Sequence, residues 1–406
     1  MRPVTWITSS TRQVEPAGET RQSADSAHRG KEEPAAALSD KLGPGQRPRR
    51  LVSLDAFRGL TILGMLLVNN SALDIWTPAQ LRHAAWNKGA HFADMIFPWF
   101  LLIVGAAIPY SVAAHRERGF PRWRYGLKAL TRAAVLVLLG CLINSSFARR
   151  PMFDLGILQL IGLSYLVAAL LYEPSLWWRL FLAGGLLVAH WAIIRFLPIP
   201  GLGAGVFTES ENAINYINRA YLHRFALSGL ISVAPTTALV LIGTAVGDEL
   251  RRESDSQAKR VWQLIAVGLG LVAAGLLWNL DLPFNKPLWT ASYILYTAGW
   301  GCLVLGVFYL LIDVKRWRAW SFPLVVFGMN AIVLFVAPIL VQAHTLQEWN
   351  WKMPDGAKLP LQQAIINFFF LHAGRIAGGW LYTFCLILFW WLVAFWMYRR
   401  KIFLRV

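Results

Sequence analysis

A histidine, an amide and a carboxylate fall within a dozen residues of one another in the run His83-Ala84-Ala85-Trp86-Asn87-Lys88-Gly89, followed by Ala93-Asp94-Met95-Ile96-Phe97-Pro98. Histidine is the side chain best suited to moving a proton near neutral pH. A carboxylate can hold its other ring nitrogen in one tautomer. An amide can donate to a carbonyl oxygen as negative charge develops there. His83, Asp94 and Asn87 are therefore candidate catalytic residues for chemistry that moves a proton. An interfacial histidine beside a helix-capping aspartate satisfies the same spacing. No second His or Cys stands at ligand spacing, so no metal is expected. Cys141, Cys302 and Cys385 all lie inside apolar stretches and read as packing residues.

The elements that must position these groups are membrane-spanning helices. The chain is 56% hydrophobic and only 15% charged, against about 45–50% and about 25% in soluble domains. One globular core cannot hide that excess. A spanning helix needs about 20 mostly apolar residues. Ten stretches qualify: 54–73, 92–114, 129–147, 154–172, 176–197, 226–247, 261–279, 289–312, 321–341 and 376–397. The expected fold is an all-α polytopic transmembrane bundle spanning 51–406, with no visible repeat of the inverted-transporter kind.

The net charge of +17 would suit nucleic acid, but its distribution excludes that reading. The basic residues cluster at Arg116–Lys128, at Arg251, Arg252, Lys259 and Arg260, at Lys315–Arg318, and at Arg399–Lys401. With the amino terminus inside, every cluster falls on the cytoplasmic side, as the positive-inside rule requires. Both termini are then cytoplasmic. Residues 1–50 are polar and end in Arg47, Pro48, Arg49 and Arg50; they read as a disordered cytoplasmic tail without the apolar middle of a signal peptide. The opposite loops, 73–91, 198–225, 280–288 and 342–361, are rich in Trp, Pro and Asn, and loops of that kind carry function.

Ionisable and amide side chains inside lipid are costly, so they mark function by default. Asp55 and Arg58 sit at i and i+3 near the inner end of the first stretch and can pair. Asn69, Asn70, Asn144, Gln159, Asn279 and Asn330 fall at or near span ends, and Lys286 in a short outer loop. Each amide serves equally well as glue between helices. Trp86, Trp289 and Trp349 stand in loops or at span boundaries, where Trp is common in any case.

Four ordered motifs resemble the heparan-alpha-glucosaminide N-acetyltransferase family, a branch of the transmembrane acyltransferases. They are Ser53-Leu54-Asp55-Ala56-Phe57-Arg58-Gly59-Leu60-Thr61-Ile62; the His83 run through Phe97-Pro98; Phe284-Asn285-Lys286-Pro287-Leu288-Trp289-Thr290-Ala291-Ser292-Tyr293; and Val326-Phe327-Gly328-Met329-Asn330-Ala331. The family commonly reads Asn-Gly where this chain reads Asn87-Lys88-Gly89. The resemblance implies an enzyme that moves acetyl from cytosolic acetyl-CoA to the amino group of a terminal glucosamine across the membrane. It places the active-site histidine at His83. Arg58, Arg132, Asn69 and Asn330 become candidates for holding acetyl-CoA, and Trp86, Asn285, Lys286 and Trp289 for the sugar. It further implies a bacterial inner-membrane location and a homodimer. A permease for amino sugars or cell-wall fragments, and a polysaccharide O-acyltransferase, are the competing readings.

Overall fold

The computed structural model describes residues 51–172, 175–252, 256–352 and 358–404. The expected tail, residues 1–50, lies outside them. Twelve helices matter to the site: α1 (Val52–Asn69), α2 (Phe92–Glu117), α3 (Arg122–Ala148), α4 (Ile157–Leu170), α5 (Leu176–Phe196), α6 (Val233–Arg251), α7 (Gln257–Trp278), α8 (Ala291–Phe308), α9 (Phe322–Met329), α10 (Ala331–Val341), α11 (Leu361–Ala373) and α12 (Arg375–Arg399). A small hairpin, β1 (Asn350–Lys352) paired antiparallel with β2 (Lys358–Pro360), precedes α11.

Among the described residues, eight helices are long and apolar enough to cross a membrane. They fall in two groups. In α1, α2, α6 and α8, 56–67% of the most apolar stretch is buried inside the protein, whereas in α3, α5, α7 and α12 only 22–28% is. The second group stays apolar while unburied, which is the character of helices facing lipid. An inner ring of four helices thus carries the core, and the others wrap it.

Two of the ten expected spans take unexpected forms. The stretch 154–172 yields only α4, 14 residues long, which at 1.5 Å per residue reaches about 21 Å. Its start is set back because the Gln159 side chain accepts from the Gly156 amide (3.1 Å) and donates to the Asp154 carbonyl (3.3 Å), fixing the preceding residues outside the helix. The stretch 321–341 is broken at Asn330, with a bend of 68° between its two halves. Asn330 leaves helical geometry (φ −124°, ψ 42°). Its amide donates to the Ile402 carbonyl (3.0 Å) and accepts from the Leu404 amide (3.0 Å). The polar break in the span is thereby matched to the chain's carboxyl-terminal segment.

Close backbone approach organises the core. A Cβ on Gly59 of α1 would lie 1.7 Å from the Leu324 carbonyl oxygen, and one on Gly328 of α9 would lie 2.0 Å from that of Asp55. Small residues at such crossings let helices pack where lipid offers no hydrophobic drive. Ion pairs tie the periphery to this core. Arg179 of α5 bonds Asp248 of α6 (2.5 Å) and Thr244 (2.6 Å), and the Tyr172 hydroxyl donates to the other Asp248 oxygen (2.5 Å). Ser146, His344, Glu348 and Arg149 link the end of α3 to the segment after α10, with His344 Nδ1 3.3 Å and Arg149 Nη2 2.9 Å from the same Glu348 oxygen.

Candidate active site

The loop between α1 and α2 delivers His83, and the first turn of α2 delivers Asp94. His83 Nδ1 lies 2.8 Å from Asp94 Oδ1. The other carboxylate oxygen accepts from the backbone amides of Ala84 (3.0 Å) and His91 (3.1 Å). Asp94 is 2% exposed, and the Tyr293 hydroxyl donates to its backbone carbonyl (2.5 Å). Two amides on one oxygen leave the other free for the ring. An ionised carboxylate can only accept, so Nδ1 carries the proton and Nε2 keeps its lone pair. Asp94 is thus a helix-capping residue and an imidazole partner at once.

Lys286 joins this pair from the loop before α8. Its Nζ lies 3.0 Å from His83 Nδ1, 3.5 Å from Nε2 and 3.5 Å from Asp94 Oδ1. With Nδ1 protonated, the ammonium can donate only to Asp94 or to the Nε2 lone pair. Burial lowers the Lys286 pKa, and the Asp94 carboxylate partly restores it. The loop is held by Asn285, which is 2% exposed. Its Oδ1 accepts from the Leu288 amide (2.9 Å), and its Nδ2 donates to Asn87 Oδ1 (3.1 Å). Asn87 itself has φ +57°, a left-handed conformation that Asn tolerates better than most residues.

His83 and Lys286 both line a cavity of about 530 Å³. Along α1 its wall is formed by Asp55, Arg58, Ile62, Met65 and Asn69, and the run from Asp55 to Asn69 rises about 21 Å. Arg132 and Tyr165 line it as well. The Arg132 guanidinium donates to the Tyr165 hydroxyl (3.3 Å) and lies 5.3 Å from its ring centre. Arg58 pairs with Asp55 at 3.5 Å. The cavity wall therefore carries two arginines, a histidine and an amine, with Phe97, Phe100, Ile161 and Phe335 among its apolar residues.

The structure brings together most, but not all, of the residues singled out from sequence. His83, Lys286, Arg58, Arg132 and Asn69 share the cavity wall. Asn330 does not, since its amide is spent on Ile402 and Leu404. Trp289 is 8% exposed and packs edge-on against Phe97 (5.3 Å) and Tyr293 (6.0 Å), so it offers no face to a sugar. Trp86 donates to the Phe207 carbonyl (3.3 Å) and packs on that ring (5.7 Å); it braces the His83 loop against the 198–225 connection. Trp349 is 62% exposed and outside the cavity lining. Asn285 and Asn87 hold one another across the two loops. Tyr165 and Tyr293 were missed, because a tyrosine in an apolar span carries no signal until its hydroxyl has a partner. Among the described residues no group of three or more His, Cys, Asp or Glu is arranged to hold a metal ion.

Fold and site together define an integral membrane protein of the helical-bundle class, with an interior cavity that meets an aspartate-oriented imidazole. A family profile described as "Heparan-alpha-glucosaminide N-acetyltransferase, catalytic" matches residues 50–275, and the chain belongs to that family. It is 27% identical over 430 residues to the heparan-alpha-glucosaminide N-acetyltransferase of Homo sapiens, covering 88% of this chain and 60% of that protein. It is 25% identical over 424 residues to the protein of the same name from Mus musculus, with the same coverage. The chain thus spans 60% of the length of these curated relatives.

Proposed function

We propose that this protein transfers acetyl from cytosolic acetyl-CoA to the amino group of a glucosamine-type sugar on the extracytoplasmic side of a bacterial inner membrane. The observation that carries the reading is one cavity lined by Arg58 and Arg132 as well as by His83 and Lys286. The basic clusters support an orientation with Arg58 toward the cytoplasm and His83 toward the outside. Arginine suits the phosphates of a nucleotide donor because its planar fork matches phosphate oxygens. The apolar stretch of wall suits a flexible pantetheine arm, which would carry the thioester toward His83. Family membership supports the acetyl donor and the amino-sugar acceptor.

The chemistry follows from the tautomer. Asp94 holds the proton on Nδ1, so Nε2 is the base. The sugar amine attacks the thioester carbon, its proton passes to Nε2, the C–S bond breaks, and the imidazolium returns the proton to the departing thiolate. Positioned proton transfer of this kind contributes about 10²- to 10⁴-fold. The Asn87 amide group, held in place by Asn285, is the candidate donor to the carbonyl oxygen as charge builds. An acetyl-imidazole intermediate uses the same Nε2; radiolabelled acetyl retained on the protein without acceptor would distinguish that route.

The test is purified protein given acetyl-CoA with glucosamine, or with a sugar carrying hydroxyls only, and products read by mass spectrometry. N-acetylglucosamine should form, and His83→Ala should abolish it. Unchanged acetylation by His83→Ala removes the assignment of the base. Acetylation of the hydroxyl-only sugar instead would make the protein an O-acyltransferase, and acetyl-CoA-independent uptake of the sugar would make it a permease.

A further inference from the structure

We propose that Lys286 is itself an acetyl acceptor: when no sugar amine fills the cavity, its Nζ takes the acetyl group and the resulting amide closes the site. The inference rests on the reading of His83 as the base of an acetyl-CoA-dependent transferase. It is carried by position. The Lys286 amine lies 3.5 Å from Nε2 of His83, the ring nitrogen free to accept a proton, and lines the same cavity. That is hydrogen-bonding distance of a base, where any amine acceptor must come. A primary amine is the functional group this chemistry acetylates, so the protein holds a built-in substrate analogue at its own catalytic base.

The loop geometry keeps it there. The Asn285 side chain caps the turn through the Leu288 amide (2.9 Å), and the Asn285 backbone amide donates to the Thr290 hydroxyl (3.0 Å). These bonds fix the backbone on which Lys286 stands. A tethered nucleophile replaces a bimolecular encounter by an intramolecular one, which raises its effective concentration far above that of a free sugar. The side chain is 29% exposed, enough for a thioester to approach. Burial also enlarges the neutral, nucleophilic fraction of the amine.

The step balances without any further reactant. The ammonium gives one proton to His83 Nε2. The neutral Nζ attacks the thioester carbonyl, a C–N bond forms, the C–S bond breaks, and the imidazolium proton passes to the thiolate; the second amine proton leaves to solvent as the amide forms. The products are Nε-acetyl-lysine and CoA. Unlike an acetyl-imidazole, the amide does not return its acetyl to an incoming sugar. Acetylation also erases the cation beside Asp94. A sugar amine bound at His83 displaces Lys286 from the reactive position and protects it. The device would switch transferase molecules off when donor is plentiful and acceptor is absent.

The experiment uses the full chain in detergent with acetyl-CoA alone, followed by quantitative peptide mass spectrometry. The exposed residues Lys352, Lys358 and Lys401 report the background chemical acetylation. Acetyl should accumulate on Lys286 at least about 10-fold faster than on these controls, consistent with proximity. It should survive hydroxylamine, fall when glucosamine is added, and drop to the control rate in His83→Ala. A Lys286 rate equal to the controls, or an excess that persists in His83→Ala, overturns the inference. N-acetylglucosamine formation is measured in the same samples. Acetylated sugar in the samples given glucosamine, with Lys286 unmodified in the samples given acetyl-CoA alone, overturns the lysine inference alone, and the absence of both products overturns the transferase reading as well. Acetyl-Lys286 without acetylated sugar supports the inference and removes glucosamine as the acceptor.

Discussion

Replacing Asp94 with Asn isolates the tautomer argument. The side chain is nearly isosteric, but one oxygen becomes an amide group. Asp94 Oδ2 accepts two backbone amides, from Ala84 (3.0 Å) and His91 (3.1 Å), while Oδ1 meets His83 (2.8 Å). In the variant the remaining oxygen must stay toward the two backbone donors, because turning the side chain round would leave both without an acceptor. The new amide group then faces Nδ1 and donates to it. The ring proton moves to Nε2, and the lone pair leaves the cavity. The base is lost while the loop remains anchored. Asp94→Asn should therefore lower kcat by about 10²- to 10⁴-fold, which is about 2.7–5.4 kcal/mol of barrier. KM for acetyl-CoA should change little, because Arg58 and Arg132 are untouched. The assay is steady-state acetylation of glucosamine, with monodispersity and thermal melting as controls for folding. A variant that folds normally and retains kcat within a few-fold of the parent would falsify the tautomer assignment.

Gly328→Ala should lower the melting temperature or prevent folding, since its Cβ meets the Asp55 carbonyl at 2.0 Å and backbone cannot rotate aside; overpacking of this kind costs about 1–3 kcal/mol or more. Gly184→Ala, whose new carbon would meet nothing within 4 Å beyond its own helix backbone, is the control and should melt no lower than the parent. Arg132→Met should raise KM for acetyl-CoA roughly 10- to 150-fold, the value of a lost charged hydrogen bond, with kcat little altered; an unchanged KM would detach Arg132 from the donor. Burial lowers the Lys286 pKa from its ordinary 10.5, so between the folded value and 10.5 the unfolded chain binds more protons than the native one. Stability then rises with pH across that window. Detergent melting curves of the parent should show this rise relative to Lys286→Met, and parallel curves would contradict the desolvation argument.

The spans were legible because lipid imposes length and apolarity on every crossing segment, and a count of apolar stretches finds them. What failed to show was how they end. Nothing in the composition of 321–341 announces that Asn330 breaks the helix to bind Ile402 and Leu404, because those partners lie about 70 positions away. The pairing of His83 with Asp94 was legible because both stand in one short segment, 11 residues apart. The third member was visible as a loop cation inside the third motif but not as a partner of His83, since Lys286 reaches the ring from 203 residues away. Trp289 misled for a physical reason. Aromatic residues are common at membrane boundaries, and residue type does not reveal whether a ring faces solvent or wedges into the core behind the loop, as this one does at φ +54°.

The same distinction reorganises the motifs. Along α1, Asp55, Arg58, Ile62, Met65 and Asn69 line the cavity, at offsets of three and four that form one stripe of a helix. Gly59 is next to Arg58 in sequence but belongs to the face crossing α9, against Leu324. Gly328, in the fourth motif, closes the same crossing from the other side, against the Asp55 carbonyl. The first motif thus interleaves a chemical stripe with a packing stripe, and the fourth supplies the partner for the packing. The two glycines fix the α1 backbone at the residues that carry Asp55 and Arg58. If that contact sets where the guanidinium stands, a wider crossing should disturb donor binding at the Arg58 end before it disturbs the imidazole. The imidazole is anchored separately, by α2 and by the loops that Asn285 and Trp86 hold in place.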